Sequence, residues 1–217
     1  MKIDKNSRGT IALVYLISGL VALTVFHFCS KWWVLAPVSL LLLAFCIWQT
    51  LFFRVPVRQK LGDGVTVTSV ADGKVVIIEK VFEKEYLMRD CIQVSVYMDF
   101  WDVHANFWPV TGHITYFRYN PGKHLLAFLP KASEDNEHTC TNMRTENGKD
   151  IFFKQLAGTF ARRIVSYSKV GSMENAGEQC GIIKFGSRID MFLPLDAKLE
   201  IELGQQVRAC ETVIARI

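Results

Sequence analysis

The sequence predicts a mainly β domain of barrel or sandwich type, with one or two short helices, preceded by an N-terminal α-helical membrane hairpin. The chain has 217 residues, half of them hydrophobic, and its mean hydropathy is +0.20. This apolar excess lies in residues 11–29 and 32–53, which contain no Lys, Arg, Asp or Glu. Residues 54–217 have ordinary polarity and are divided by Gly and Pro into short β-branched and aromatic runs. The composition excludes a disordered, collagen-like, coiled-coil or wholly soluble chain.

Two apolar helices, at about residues 11–29 and 32–53, are expected to form a membrane hairpin in a first domain of residues 1–53. About 20 helical residues, at ~1.5 Å each, cross a ~30 Å hydrocarbon core. The positive charges that flank the pair are Lys2, Lys5, Arg8, Arg54, Arg58 and Lys60. This charge pattern places both ends of the hairpin in the cytoplasm. Two alternatives stay open: a cleaved signal peptide, and a shallow re-entrant hairpin interrupted at Pro37.

Residues 54–217 are expected to form short strands joined by tight turns. Alternating apolar and polar residues, as at Ile92–Val96, are typical of half-buried strands. Strands are predicted at residues 65–70, 74–79, 92–98, 113–117, 125–129, 182–185 and 189–193. A helix is predicted over Gln155–Val165, where apolar residues recur every four positions, and residues 132–149 are predicted to be a loop or exposed hairpin. The order of these elements does not alternate strand with helix, which argues against Rossmann and TIM-barrel folds.

Charge and cysteine patterns exclude several classes of function. The net charge is only +4, and no basic block interleaved with aromatic residues predicts nucleic-acid binding. The six cysteines show no metal-binding spacing, so we expect no bound metal and interpret them as small buried side chains in a reducing compartment. They stand at positions 29, 46, 91, 140, 180 and 210. The sequence has no phosphate-binding loop, zinc-protease, serine-hydrolase or EF-hand motif.

Three local features could carry chemistry. Asp72 precedes a glycine and a β run, a pattern that alone indicates a turn. His104 follows an apolar strand, where it could act as a general base if a carboxylate orients it, or could be purely structural. Gly186 and Ser187 lie between two β runs, which alone indicates a turn or bulge. The histidines assigned no chemistry are His113 and His124, expected to be structural, and His138, expected to be solvated.

Several segments follow one another in a characteristic order through almost all of residues 52–217. They are FFRVPVR at 52–58, ADGKV at 71–75, DVHAN at 102–106 with Pro109 and Gly112, KASEDNE at 131–137, QLAG at 155–158, ARRIV at 161–165 and GIIKFGSRID at 181–190 with Leu193 and Pro194. Each segment is short, and their joint order and spacing are the informative feature. Together they resemble the phosphatidylserine decarboxylase proenzymes, particularly the short bacterial and archaeal form.

The resemblance implies that residues 54–217 form a catalytic domain that cleaves itself between Gly186 and Ser187. The products would be a β chain of residues 1–186 and an α chain of residues 187–217, held together as a heterodimer that could assemble further. Ser187 would become a pyruvoyl group, so neither pyridoxal phosphate nor a metal is expected. His104 and Asp72 would be the other catalytic residues. Longer relatives have a second histidine three positions after the first, where this chain has Phe107, so His104 would serve both cleavage and decarboxylation.

The implied reaction converts phosphatidylserine to phosphatidylethanolamine and CO2 on the cytoplasmic side of the cell membrane. In the expected mechanism Asp72 orients His104, which takes the proton from Ser187 Oγ, and this oxygen attacks the carbonyl of Gly186. The pyruvoyl carbonyl would later accept electrons as CO2 leaves. The residues that bind the phosphodiester are not identified by the sequence. Cations chemically able to do so are Lys74, Arg118 and Arg188.

Two other interpretations stay open. A related lipid such as archaetidylserine, or a soluble amino acid, could be the substrate, although a membrane hairpin favours a lipid. Alternatively, Gly73–Val75 and Gly204–Val207 are similar to segments of biotinyl and lipoyl carrier barrels, which would make the chain a non-catalytic membrane-anchored module. Chain cleavage separates the last interpretation from the others, because a carrier module stays intact.

Overall fold

The computed structural model describes residues 1–58, 65–126, 132–158, 163–184 and 187–217. The chain divides into two compact units, Met1–Pro56 and Val57–Ile217. The first unit contains the apolar runs and the second contains the β-rich sequence. Each unit has its own internal hydrogen bonding and is described by itself.

The first unit is a pair of antiparallel helices. A two-stranded ribbon joins the segment before the first helix to the segment after the second. The elements of this unit are β1 (Lys2–Ile3), α1 (Arg8–Phe28), α2 (Trp32–Phe52) and β2 (Arg54–Val55). The hydroxyls of Tyr15 and Thr50 lie 2.7 Å apart and join the start of α1 to the end of α2. Both helices are 21 residues long and apolar enough to cross a membrane by length and composition. The expected interruption at Pro37 is not observed, because α2 continues through this residue at the cost of one amide donor near its start.

The second unit is built from short strands. Its elements are β3 (Thr66–Thr68), β4 (Gly73–Glu83), β5 (Arg89–Met98), β6 (Ala105–Phe107), β7 (Gly112–Asn120), α3 (Ala132–Asp135), β8 (His138–Arg144), β9 (Asp150–Leu156), β10 (Ile164–Ser166), β11 (Met173–Glu174), β12 (Gln179–Ile183), β13 (Ser187–Leu193), β14 (Lys198–Leu199), β15 (Gln206–Val207) and β16 (Val213–Arg216). Within the described ranges, eight strands form one large antiparallel sheet in the order β11-β7-β8-β9-β13-β5-β4-β15. Two smaller sheets have the orders β10-β12-β6 and β14-β16-β3.

The large sheet has two chemically different faces. Its inner face carries alternate residues such as Val94, Val96 and Ile189, which join the main hydrophobic core with side chains from the two smaller sheets. Its outer face carries Arg188 and Phe192, the residues between them in the alternation. By this alternation Ser187 belongs to the inner face. A fully buried strand such as β13 therefore presents apolar side chains inward and both polar and aromatic side chains outward.

The structure confirms the predicted fold class: a mainly β domain with short strands, a short helix (α3) and two N-terminal apolar helices. Predicted strands at residues 74–79, 92–98, 113–117 and 189–193 are present, and those at 65–70 and 182–185 are present in part. In the predicted strand at 125–129, the first two residues are irregular and the other three lie outside the described residues.

Two local predictions are wrong. The helix predicted over Gln155–Val165 is absent from its described residues, because its first part ends β9 and its last part begins β10. Apolar side chains four apart also share one face of a strand, so the spacing alone did not separate the alternatives. Within the stretch expected to be an exposed loop or hairpin, β8 forms a hairpin with β9 but is buried along most of its length. Its small and polar side chains are buried because neighbouring polar groups satisfy them.

Candidate active site

The predicted cleavage position lies where the chain passes from one sheet to another. The strand β12 belongs to a three-stranded sheet, whereas β13 belongs to the large sheet. Lys184 follows β12, residues 185 and 186 lie outside the described part of the chain, and Ser187 opens β13. Ser187 is the register partner of Met98, the last residue of β5. The structure therefore describes the serine of the predicted cleavage pair and leaves Gly186 undescribed.

The Ser187 side chain occupies an unusual environment for a hydroxyl. It is fully buried, and Oγ has no hydrogen-bond partner among the described residues. An unsatisfied buried polar group costs about 1–3 kcal/mol, so such groups are rare in folded proteins. A hydroxyl held this way at a strand start is a candidate for chemistry.

His104 is hydrogen-bonded to the same region, where the chain passes from β12 to β13. It immediately precedes β6, and its carbonyl accepts a hydrogen bond of 3.3 Å from the Ile183 amide, the last amide of β12. The imidazole is fully buried, and Nδ1 lies 3.0 Å from the carbonyl oxygen of Asp102. Because a carbonyl only accepts, Nδ1 must carry the hydrogen of this bond. In the neutral ring the lone pair is then on Nε2, which is the tautomer that a general base needs.

Asp72 lies in the turn between β3 and β4, and this turn packs closely on the end of β5. A side chain on Gly73 would collide with the backbone of Tyr97 and Met98, so the two segments are in direct backbone contact. Met98 is also the residue that pairs with Ser187. The turn that holds Asp72 and the start of β13 thus converge on the same end of β5.

The Asp72 carboxylate is held by an arginine. Arg58 donates to both oxygens, at 2.6 Å for Oδ2, and the Ala209 amide donates to Oδ1 at 2.9 Å. Burial acts to lower the pKa of Arg58, but the hydrogen bond and charge of Asp72 outweigh it, and the pKa is raised. Asp72 is therefore part of a fixed ion pair. On His104, the position that an orienting carboxylate would occupy at Nδ1 is taken by the Asp102 carbonyl.

A chain of buried amides, not singled out by the sequence, crosses the inner face beside this site. The Gln155 side chain donates to Asn106 Oδ1 at 2.8 Å and accepts from Thr139 Oγ1 at 2.9 Å. Asn106 in turn lies 3.8 Å from the sulfur of Met98, through its amide nitrogen. Asn106 and Gln155 lie within segments that carry the family resemblance, as do Arg58 and Asp102, but the sequence assigned none of these four a role in the site.

The cations considered for the phosphodiester are in different environments. Lys74 and Arg118 are exposed. Arg188 is fully buried on the outer face, and it donates to Asp190 at 2.7 Å from Nε and 2.9 Å from Nη2. Arg188 is therefore a partner in a buried ion pair. His138, expected to be solvated, is also buried, at 5% exposure.

Fold and site together define a β-rich protein in which a serine and a histidine are buried at a crossover between two sheets. The comparisons with known proteins identify its family. The model of the phosphatidylserine decarboxylase family matches residues 44–215.

Curated relatives named phosphatidylserine decarboxylase proenzyme match over most of the chain. A protein of Parabacteroides distasonis is 37% identical, with 100% of this chain and 99% of the relative covered. One of Porphyromonas gingivalis is 39% identical with the same coverage, and one of Amoebophilus asiaticus is 43% identical over 79% of this chain and 76% of its own. The chain belongs to the phosphatidylserine decarboxylase family, and it is an enzyme of the carboxy-lyase class. The resemblance inferred from the sequence is confirmed.

Proposed function

We propose that the chain cleaves itself between Gly186 and Ser187 and then decarboxylates phosphatidylserine with a pyruvoyl group made from Ser187. The observation that carries the proposal is the buried Ser187 Oγ at the sheet crossover, without a hydrogen-bond partner among the described residues. The relatives' name, proenzyme, supports processing of this kind. The tautomer of His104 supports its assignment as the base.

The cleavage uses groups of the chain itself. His104 Nε2 accepts the proton of Ser187 Oγ, and the oxygen attacks the carbonyl carbon of Gly186. The peptide C–N bond breaks, and the acyl group moves to the serine oxygen as an ester. Removal of the Ser187 α-proton then breaks the Cβ–O bond and releases the Gly186 carboxylate. The remaining dehydroalanine tautomerises to an imine, and water hydrolyses it to ammonia and a pyruvoyl group.

The residues at the site fit a pyruvoyl group at position 187. Ser187 is buried on the inner face of the large sheet, which carries much of the main hydrophobic core. When formed, the group supplies an electron-accepting carbonyl for an amine substrate. His104 Nε2 is the proposed proton donor and acceptor in both the cleavage and the decarboxylation. Asp72 is proposed to act through its negative charge, with the Arg58 ion pair fixing the turn that carries it.

The two products are proposed to remain together as an α/β heterodimer. The first strand of the α chain, β13, pairs with β5 from Ser187 to Leu193 and with β9 from Arg188 to Phe192. These two ladders and the surrounding core are unaffected by cutting one peptide bond at the strand's start. Separation would expose a strand that is buried along its whole length.

The substrate is proposed to be phosphatidylserine in the cell membrane, reached from the cytoplasmic side. Support for a lipid comes from the relatives' name and from two helices long and apolar enough to span a bilayer. Support for the cytoplasmic side comes from the lysines and arginines that flank both helices. Phosphatidylserine vesicles should therefore yield CO2, whereas free serine should not. Turnover of archaetidylserine but not of phosphatidylserine would show that the substrate is the archaeal lipid instead.

Ser187→Ala tests the processing step directly. The purified full chain should resolve by mass spectrometry into residues 1–186 and a fragment of residues 187–217 with a pyruvoyl N terminus. Ser187→Ala should remain one intact chain and should release no CO2, because the nucleophile is missing. The matched control is Ser172→Ala, a surface hydroxyl bonded to the carbonyl of Lys169, which should be processed normally. A wild-type chain that stays intact in membranes would refute the proposal.

A further inference from the structure

A second cluster of reactive side chains lies on the outer face of the large sheet, opposite the face that carries Ser187. We call Glu85, Asn120, His138 and Cys140 the Glu85 cluster. His138 and Cys140 are two residues apart on β8, which puts both side chains on one face, and Asn120 is the register partner of His138 on β7. Glu85 reaches them from the turn between β4 and β5. His138 is 5% exposed and Cys140 is fully buried.

The ligand-capable atoms of Glu85, His138 and Cys140 lie within 4.8 Å of one another, and the side-chain amide of Asn120 contacts all three. Glu85 Oε2 lies 3.1 Å from His138 Nε2, 3.1 Å from Cys140 Sγ and 3.2 Å from the side-chain nitrogen of Asn120. That nitrogen lies 3.1 Å from His138 Nε2 and 3.5 Å from Cys140 Sγ. These five distances, 3.1–3.5 Å, are close to the ligand–ligand separations of about 3.3–3.8 Å that follow from tetrahedral zinc–ligand distances of about 2.0–2.3 Å.

The hydrogen bonding of His138 directs a lone pair into this group of atoms. His138 Nδ1 lies 2.6 Å from the Asn136 carbonyl, so Nδ1 carries a hydrogen and Nε2 of the neutral ring carries a lone pair. That lone pair points toward Glu85 Oε2 and toward the side-chain nitrogen of Asn120, each 3.1 Å away. A metal ion bound among these atoms would take the lone pair in place of the Asn120 amide. A histidine whose Nδ1 donates to a backbone carbonyl is the usual arrangement of a metal ligand.

The charge of the surroundings favours a divalent ion. Glu83 and Glu85 carry two negative charges and the nearby Lys154 carries one positive charge, so these three side chains have a net charge of −1. The Cys140 thiol is the donor in its contact with Glu85 Oε2, so its sulfur carries a proton when no metal is bound. Exchange of the thiol proton for a divalent cation makes the charge of the whole group zero. Phe152 and Phe192, which pack beside Cys140, keep the site in apolar surroundings.

We propose that the Glu85 cluster binds one Zn²⁺ ion through Glu85 Oε2, His138 Nε2 and Cys140 Sγ, with Asn120 as the fourth ligand. Asn120 would present its oxygen after a 180° flip of the side-chain amide. Nitrogen, sulfur and oxygen ligands in tetrahedral geometry select zinc among the common divalent ions. Binding releases the Cys140 proton to solvent. The Glu85 side chain, 24% exposed, leaves a path for the ion.

The proposed ion is structural and separate from the reaction. It would tie the β4–β5 turn to β7 and β8, where the ring of Tyr86 already stacks on Tyr116 with centroids 4.2 Å apart. The sequence led us to expect no metal, because Glu85 lies 35 residues before Asn120 and more than 50 before His138 and Cys140, so no short-range spacing signals the site. The proposal does not depend on cleavage at Ser187.

Metal content and spectroscopy test the proposal. The full chain, purified in detergent without a polyhistidine tag, is expected to contain about one zinc per chain by elemental analysis. Replacement by Co²⁺ should give the visible bands of a tetrahedral ion and a thiolate charge-transfer band. Cys140→Ser should lose the charge-transfer band and most of the metal. The matched control is Cys91→Ser, another buried cysteine of the same outer face, which should retain both.

A second measurement covers variants that fold poorly. Chelation of wild-type protein should lower its Tm, and added Zn²⁺ should restore it, without any substitution. His138→Gln should abolish this response, whereas the exposed His113→Gln should keep it. Wild-type protein that takes up no stoichiometric Zn²⁺ or Co²⁺ would overturn the proposal. Retention of the charge-transfer band in Cys140→Ser would overturn it as well.

Discussion

At the scale of single residues, the site depends on which hydrogen bonds are made and which are left unmade. The Asp102 carbonyl fixes the tautomer of His104, and the Ser187 hydroxyl is buried without a partner among the described residues. Both features cost stability or restrict freedom, and the proposed transfer of a proton from Oγ to Nε2 would make use of both. Asp72 differs, because its carboxylate is already saturated by Arg58 and the Ala209 amide.

Replacement of the base should slow processing. His104→Gln is expected to reduce the rate of cleavage by about 10²-fold or more, since general-base catalysis typically contributes 10²–10⁴-fold. The readout is the fraction of intact chain against time after synthesis, followed by mass spectrometry. His113→Gln, at an exposed position on β7, is the control and should cleave at the wild-type rate. Equal rates in both variants would remove His104 from the mechanism.

The buried ion pair next to the cleavage site should behave differently from a surface pair. Arg188→Met leaves the fully buried Asp190 without its guanidinium and should cost about 3–5 kcal/mol of unfolding free energy. The double variant with Asp190→Leu should recover most of this loss, because no buried charge is left over. Thermal or denaturant unfolding in an uncleaved Ser187→Ala background measures both. Arg118→Met, at an exposed position, should change stability by less than about 0.5 kcal/mol.

At the scale of elements, close backbone contact between two segments brings the site together. The β3–β4 turn meets the end of β5 at Gly73, whose φ is +145°, a conformation that L side chains rarely adopt. The same end of β5 pairs with Ser187, and the last amide of β12 bonds to His104. The β3–β4 turn, the end of β5, the start of β13 and the end of β12 therefore lie where the chain passes from the three-stranded sheet to the large sheet.

Gly73→Ala should be far more damaging than a typical glycine substitution. Its new methyl group would overlap the carbonyl of Tyr97, and its backbone would be strained, so we expect a loss above about 3 kcal/mol and slower cleavage. The control is Gly148→Ala, where φ is +75° and no atom lies within 4 Å of the added carbon. It should cost only about 1–2 kcal/mol from backbone strain. Similar losses in the two variants would show that the close contact contributes little.

At the scale of the whole molecule, the chain joins two units of different character. Met1–Pro56 has an apolar surface suited to lipid, whereas Val57–Ile217 has its own core and hydrogen-bonded sheets. The proposed role of the first unit is to keep the second unit near a substrate that resides in a bilayer. This tether raises the effective concentration of the lipid substrate at the catalytic unit.

Deletion of residues 1–53 should separate folding from substrate access. The shortened protein is expected in the soluble fraction and should still cleave itself, because the groups proposed for cleavage all lie in the second unit. Its turnover of phosphatidylserine in vesicles should fall by roughly tenfold or more, since the tether is lost. Sedimentation and CO2 release measure the two effects. Full activity of the shortened protein on vesicles would contradict the proposed role of the hairpin.

The family-specific segments identified Ser187, His104 and Asp72 from the sequence. The contacts that these residues make could not be predicted in the same way. Arg58 and Asp72 are 14 residues apart, and Asp72 also meets Ala209, 137 residues away. Such pairings arise only when distant strands are packed together. The misassigned helix at residues 155–165 has a similar cause, since pairing with β8 and β13 sets the conformation of its first residues.

The sequence by itself determined the apolar helices, the β-rich class and the segments that identify the family, because these depend on local composition, periodicity and short motifs. Only the tertiary structure decided the environment of each polar group. It paired Asp72 with Arg58, buried Arg188 against Asp190, left Ser187 Oγ without a partner among described residues, and gathered Glu85, His138 and Cys140 into one cluster. Hydrogen bonding, burial and electrostatic pairing are properties of distances between residues far apart in the chain, and folding alone sets those distances.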